Sequence, residues 1–383
     1  MGTHPLIEAA RDLGPTIQAL ADDIERDRKL PDELVHQLSD AGFFRVAVPR
    51  EFGGDEVDPL VVFDALEELG RADASTAWVV LIISANPLMI GNAVGEAVWQ
   101  QTYGQDPDFR SAGHIGPNGR AVRVDGGYRI SGHWKYGSGA LHCDYLISGC
   151  MRFEGDKPVM VDGQPDIFWF LHRTDDCEIL TDSWDTMGLR GSGSHDYVIE
   201  DLFVPEDWTF RLGETVYELA NPVYKFPALP FAELAGITVG LATAAIAFIR
   251  DASRSRRRGP ILMCDDPSVQ MQVAKAEALT GSARAYMKDV LADVLATLQQ
   301  REPLTTEQRA RFRLAATHAV DSCVRAVDMM AKAGGGSAVY KGNSLERIVR
   351  DIRTAATHVQ FNDLTYIKSG RLLMDRDPQD PLF

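Results

Sequence analysis

"SWDTMGLRGSGSHDYVIEDLFVP", residues 183–205, decides how the chain is read. Gly191, Ser192, Gly193 and Ser194 form a small loop rich in hydrogen-bond donors, with Trp184 on its upstream side. The run that follows is rich in β-branched and aromatic residues and ends at Val204-Pro205, which reads as a strand. A dinucleotide fold needs the opposite order, a strand and then GxGxxG opening a helix, and a phosphate loop needs a lysine that is absent here. The loop therefore belongs to a β region.

Upstream of it, "RAVRVDGGYRISG" (120–132) is two short runs joined at Asp125-Gly126-Gly127, a hairpin signal. "GHWKYGSGALHCDY" (132–145) then leaves a strand through a Gly-Ser-Gly turn. Gly137 and Gly139 permit close backbone approach, Ser138 offers a hydroxyl, and Trp134 and Tyr136 bring flat rings. A planar heteroaromatic ligand would suit this arrangement, and so would a plain strand end. With "DYLISGCM" (144–151) and "DIFWFLH" (166–172), residues 111–212 read as an antiparallel, barrel-like β domain.

Helices lie on both sides. Residues 1–110 read as an N-terminal helical domain, with Pro31 and Gly42 bounding one helix. Asp58, Pro59 and Gly70 serve as cap, first residue and terminator of another. "WVVLIISANPLMI" (78–90) is a buried helix, too short to span a bilayer and interrupted by Pro87. Residues 213–383 read as a four-helix bundle. Asp266-Pro267 opens one helix, Thr305 and Gln308 sit at capping-box spacing, and Asn343 with Glu346 repeats that spacing. The fold class is α+β, mostly helical: helices, a β domain, then a bundle.

Acidic residues outnumber basic ones by 55 to 39, for a net charge of −16. That excludes the basic excess a nucleic-acid surface requires and favours small-molecule chemistry. Five cysteines without a CxxC pair, and histidines without HExxH spacing, point to reduced thiols and no metal site. No apolar h-region follows the first residues, so a cytoplasmic location is expected, with no membrane partner.

Several further features invite chemistry. Arg254, Arg256, Arg257 and Arg258 make "RSRRRG", suited to an anion or equally to a solvated surface. Gly334-Gly335-Gly336 reads as a helix stop. No GxSxG elbow occurs. His114, His142, His195 and His358 lie nearest the glycine-rich turns and the final helix, where a hydrogen-bonded structural role is the commoner one. His358 sits inside residues 354–362, a stretch with no formal charge, although helical projection puts it away from the apolar stripe. A helix without charge on any face is enclosed on several sides, so a buried histidine is expected there.

The order of these regions resembles the acyl-CoA dehydrogenase superfamily over nearly the whole chain. "MGLRGSGSHDYVIEDLFVP" is similar to that superfamily's middle-domain signature, and "LERIVRDIRT" (345–354) to its "ER–RD" helix. The catalytic glutamate of many dehydrogenases falls on Val359. A position used by others falls near Pro230, with Glu233 the nearest carboxylate. "DGGYRISGHWKYGSG" and "RDIRTAATH" instead resemble the flavin-dependent monooxygenases of this fold, similar to 4-hydroxyphenylacetate and 3-hydroxy-seco-steroid hydroxylases.

That resemblance implies the oxygenase component of a two-component system. Reduced FMN, or FAD in some members, would come from a separate NAD(P)H:flavin reductase, and an aromatic substrate would be hydroxylated through a C4a-hydroperoxyflavin in a homotetramer. It gives Ser138 a contact to flavin N5, His358 a hydrogen bond to peroxide or substrate with a near-neutral pKa, and His114 a substrate-side place. Tyr136, Trp184, Ser192 and Ser194 would line the flavin. Arg254 or Arg256 would bind phosphate at a subunit interface, and Gly335 joins the cofactor-binding set. The rival enzyme readings are an acyl-CoA dehydrogenase using FAD and an N- or S-oxygenase. A flavin-binding protein or helical scaffold without turnover is the reading from another class.

Overall fold

Capping side chains set where the helices begin. In the computed structural model, which describes residues 2–378, Asp58 accepts the Leu60 amide, Asp73 that of Thr76 and Asp266 that of Ser268. Thr305 and Gln308 form the reciprocal capping box. The N-terminal helices are α1 (Pro5–Asp27), α2 (Asp32–Asp40), α3 (Pro59–Ala72), α4 (Ala74–Ile90) and α5 (Glu96–Gln101). The C-terminal ones are α6 (Pro230–Ser253), α7 (Pro267–Gln299), α8 (Thr306–Gly334), α9 (Ser344–Ala355) and α10 (Asp363–Leu373).

Between them the chain forms β1 (Ser111–Val124), β2 (Gly127–Gly137) and β3 (Tyr145–Glu154). An arm of two-residue strands follows, β4 (Lys157–Pro158), β5 (Met160–Val161) and β6 (Gln164–Pro165). Then come β7 (Ile167–Arg173), β8 (Glu178–Leu180), β9 (His195–Pro205) and β10 (Thr209–Phe210). The main sheet runs β10-β7-β3-β1-β2-β9-β8, with β4 beside β3. The β1–β2 hairpin turns at Asp125-Gly126 as its sequence predicts, Gly126 taking φ +75°. The sheet is nonetheless mixed, because β3 returns to pair with β1 in parallel. Trp134 points into the sheet's core, fully buried and stacked on Tyr197, so it does not flank a ligand as the sequence suggested.

Two other expectations change. Gly70 does not end α3, which continues to Ala72. A Cβ at Gly70 would lie 2.7 Å from the Ile237 carbonyl of α6, so glycine here serves close helix contact. Gly236 and Gly240 of α6 meet α3 the same way, at the Phe63 and Glu67 carbonyls. Residues 354–362 are not a continuous helix either. The Thr354 and Thr357 hydroxyls donate to the Arg350 and Thr354 carbonyls, and α9 ends at Ala355. Asn362 then caps α10 by accepting the Leu364 amide. The charge-free stretch is a turn between two helices.

The segments Ala74–Ala93 and Pro230–Ser253 are long and apolar enough to cross a bilayer, yet both are mostly buried inside the protein as core helices. The α3–α6 contact leaves no room for a methyl group. Gly240→Ala should therefore lower the unfolding free energy by about 1–3 kcal/mol in urea titrations, despite alanine's higher helix propensity.

Candidate active site

Helix α9 carries the anchor from which the site is built. Arg350 pairs with Glu25 of α1 and Glu346, and it donates to the Met187 carbonyl. Arg347 pairs with Asp22 and Glu25. Next to them, the Asp351 carboxylate accepts the Leu189 amide at 2.7 Å. Gly188 lies so close to the Arg350 carbonyl that any side chain there would collide with it. The "RD" helix thus holds the glycine-serine loop, although 162 residues separate the partners. Leu189 has φ +51°, a left-handed conformation that a branched residue keeps only when its surroundings impose it.

Asp351 is buried and shares a cavity of about 500 Å³ with Asp73, the cap of α4. Burial first, and then the neighbouring Asp73 charge, push its carboxyl up to about 7. Burial likewise raises Asp73.

From Leu189 a line of hydroxyls leads to the strand end. Ser192 Oγ donates to the Leu189 carbonyl at 2.6 Å and meets Ser194 Oγ at 2.7 Å. Ser194 Oγ meets Ser138 Oγ at 2.6 Å, and Trp78 Nε1 of α4 donates to Ser138 at 3.2 Å. The Gly139 amide also bonds to the Ser192 carbonyl. The two glycine-serine turns, read separately in the sequence, form one structure.

Rings border this line. Trp184 Nε1 donates to the Leu189 carbonyl, and its ring meets Tyr136 edge-on at 6.1 Å. Tyr136 is 58% exposed, adopts φ +62°, and lies 6.2 Å from the His114 ring. On the other side, Trp78 meets His358 edge-on at 5.9 Å, and His358 lies 5.9 Å from Phe361. A buried hydroxyl between an exposed tyrosine and a tryptophan gives a planar heteroaromatic group a polar edge contact and flat neighbours. These residues fit a flavin ring.

Burial, not a partner charge, pushes His358 down to about 4, so its imidazole is neutral at neutral pH rather than poised near 7. Its Nδ1 faces the Gln360 amide at 3.5 Å, which assigns the remaining proton to Nε2. Burial also lowers His114. His142 accepts the Leu30 amide and His195 the Trp184 amide, so both hold backbone in place.

Arg254, Arg256 and Gly335 do not join this group through any contact among the described residues. Arg256 donates to Ser337 beside the open Gly335-Gly336 turn, and Arg254 is a surface residue near Asp251. Arg258 donates to the Ala333 carbonyl at the end of α8, and Arg257 lies in a short hairpin of β11 (Arg257–Arg258) and β12 (Ile261–Leu262). Among the described residues no group of His, Cys, Asp and Glu could hold a metal.

The sequence reading missed Trp78, Asp351 and Phe361. Trp78 lies inside an apolar run that reads as core, and only its indole N–H marks it out. Asp351 was visible as part of "RD", but its partner lies far away in sequence.

Glu233, the displaced carboxylate of α6, is 3% exposed and has no hydrogen bond or ion pair among the described residues. Burial raises it to about 8, so it is a neutral acid at neutral pH and no base. The folded state holds its proton from roughly pH 4.5 to 8 while the unfolded chain releases it, so this group lowers stability as pH rises through that window. Glu233→Gln removes the effect. Its unfolding free energy minus that of the parent should rise by up to ~1.4 kcal/mol per pH unit between about pH 5 and 8, then level off, in denaturant titrations across pH.

Comparisons with known proteins give the family. Residues 6–99 match the model of the acyl-CoA dehydrogenase N-terminal domain and residues 232–363 that of its C-terminal domain. The chain is 30% identical over 378 residues to the indole-3-acetate monooxygenase of Pseudomonas putida, covering 95% of each. The crystal structure of the HsaA monooxygenase from Mycobacterium tuberculosis superposes with a TM-score of 0.90 at 27% identity, over 100% of both chains. XiaF from Streptomyces, solved with FADH2 and glycerol, superposes with a TM-score of 0.90 at 25% identity, over 98% of this chain and 96% of that one. Sequence and fold agree: the chain belongs to the flavin-dependent monooxygenases built on the acyl-CoA dehydrogenase fold.

Proposed function

We propose that this oxygenase component takes reduced flavin from a separate NAD(P)H:flavin reductase and hydroxylates an electron-rich aromatic molecule, phenol-like or indole-like. The observation that carries the reading is the Trp78 indole. It donates to Ser138, the hydroxyl assigned to flavin N5, and its ring borders His358, the group assigned to substrate. When bound, reduced flavin supplies the activation of dioxygen, one atom going to the substrate and the other leaving as water.

The chain's own residues do the remaining work. Tyr136 and Trp184 orient the ring system, and Ser138 fixes its N5 edge. His358, neutral and carrying its proton on Nε2, donates a hydrogen bond to the substrate oxygen and stabilises negative charge growing there. His114 closes the side next to Tyr136. The turn from Thr354 to Asn362 brings no formal charge to this wall, which keeps water from competing for the reactive oxygen. Glu233 cannot serve a dehydrogenase as base while it holds its proton.

Arg256, with Arg254 and the Gly335 turn, offers the cationic place for a flavin phosphate, completed by a second copy of the chain. An apolar row supports assembly as a homotetramer, and a cytoplasmic location remains part of the proposal. Val359 in the turn before α10, Leu364, Ile367 and Leu373 on the helix, and Met374 just after it are all exposed. Ile367→Glu should lower the mass seen by light scattering. An unchanged tetramer would move the interface elsewhere.

The activity is tested by giving the protein reduced FMN, and in a second arm FADH2, then ¹⁸O-labelled dioxygen with a panel of phenols and indoles. One labelled oxygen in the product and a matching fall in hydrogen peroxide are expected. Peroxide yield independent of every aromatic offered would overturn the reading. His358→Ala should leave flavin affinity within about twofold and lower product per reduced flavin by about tenfold, the scale of one hydrogen bond.

A further inference from the structure

The hydroxyl line that ends at Ser138 has only one possible direction. Trp78 Nε1 is a donor without acceptor capacity, and the Leu189 carbonyl is an acceptor without a proton. Between them stand three serines, each with one hydroxyl hydrogen. Four contacts must therefore be made with four hydrogens: the indole hydrogen and those of Ser138, Ser194 and Ser192. Ser192 has to give its hydrogen to Leu189, since that carbonyl has none. The Ser192–Ser194 contact then uses the hydrogen of Ser194, and the Ser194–Ser138 contact uses that of Ser138.

Reversing any link would place two lone pairs against each other at 2.6–2.7 Å. The serines are 1–6% exposed, so water is not at hand to repair a reversed link.

Ser138 therefore arrives at the ligand with its proton already committed. One of its two lone pairs takes the Trp78 N–H and the other is free. Toward whatever lies beyond, Ser138 is an acceptor only.

A flavin distinguishes between acceptors and donors at one edge atom. In the reduced form N5 carries a hydrogen and donates; in the oxidised form N5 presents a lone pair and can only accept. We infer that the Trp78–Ser138–Ser194–Ser192–Leu189 line is a redox-state filter. It presents an obligatory acceptor to N5, so the site takes reduced flavin and disfavours oxidised flavin. This rests on the reading that Ser138 faces N5. It goes beyond that reading by assigning discrimination to Ser194 and Ser192, positioning residues that act through Ser138. The device suits an enzyme that must pick reduced flavin from a pool holding both forms and release it once oxidised. Leu189 is the terminus of the line, and its carbonyl is held by Trp184 as well, while its amide is held by Asp351. The polarity is thus rooted in the α9 anchor.

The test compares dissociation constants of oxidised and reduced FMN, the latter measured anaerobically, for the parent, Ser194→Ala, Trp78→Phe and Ser138→Ala. Ser194→Ala frees the Ser138 hydrogen to turn toward oxidised N5. It should bring the two affinities about tenfold closer together, chiefly by tightening oxidised FMN. Trp78→Phe removes a donor but leaves Ser138 committed to Ser194, so the preference for reduced FMN should persist. General damage to the fold would weaken both forms in parallel, and thermal denaturation of each variant monitors that. Ser138→Ala separates the two levels of the argument. If it leaves both affinities unchanged, Ser138 does not face the flavin and the underlying reading fails. If it changes them while Ser194→Ala leaves their ratio at the parent value, the placement stands and the filter is overturned.

Discussion

The hydrogen bond from the Leu189 amide to the Asp351 carboxylate ties the glycine-serine loop to α9 at the residue from which the hydroxyl line starts. Leu189 is in a left-handed conformation that it would abandon if free. Its carbonyl takes hydrogen bonds from both Trp184 and Ser192, so one strained peptide sets the indole on one side and the hydroxyl line on the other. The anchor is itself fixed, because Arg347 and Arg350 tie α9 to Asp22, Glu25 and the Met187 carbonyl. Asp73, the neighbouring buried carboxyl, caps the helix that carries Trp78. Two acids facing a common cavity therefore govern the two walls that converge on Ser138.

Burial pushes several ionisable groups toward their uncharged forms. His358, His114 and Asp351 at the candidate site, and Glu233 within α6, are all displaced in that direction, with burial the first cause in each case. A low-dielectric, charge-poor enclosure strengthens each remaining hydrogen bond, so the direction in which every N–H and O–H points matters more than net charge.

Much of the architecture was legible because it is local. Caps at Asp58, Asp266 and Thr305, the Asp125-Gly126 turn and the order of helical and strand-like regions all follow from neighbouring residues. What escaped depended on distant partners. Gly70 looked like a stop signal and proved to be a contact with Ile237, and the parallel β1–β3 pair has no local signature. The stretch around His358 carried conflicting signals, and threonine hydroxyls bonding to the backbone decided in favour of a turn. In the site, the sequence showed Ser138, Ser192 and Ser194 as two weak motifs. Only folding brings them within hydrogen-bond distance, and only then does Trp78 become visible as their donor.

The 162-residue separation between Leu189 and Asp351 also orders events during synthesis. The β region, its hairpin and the serine turns are made long before α9 exists, and contacts so distant in sequence form late. Until α9 arrives, the Leu189 carbonyl has its Trp184 and Ser192 donors but the amide lacks its Asp351 acceptor, so the hydroxyl line is anchored from one side alone. A chain that ends before α9 therefore lacks the carboxylate that holds the Leu189 amide.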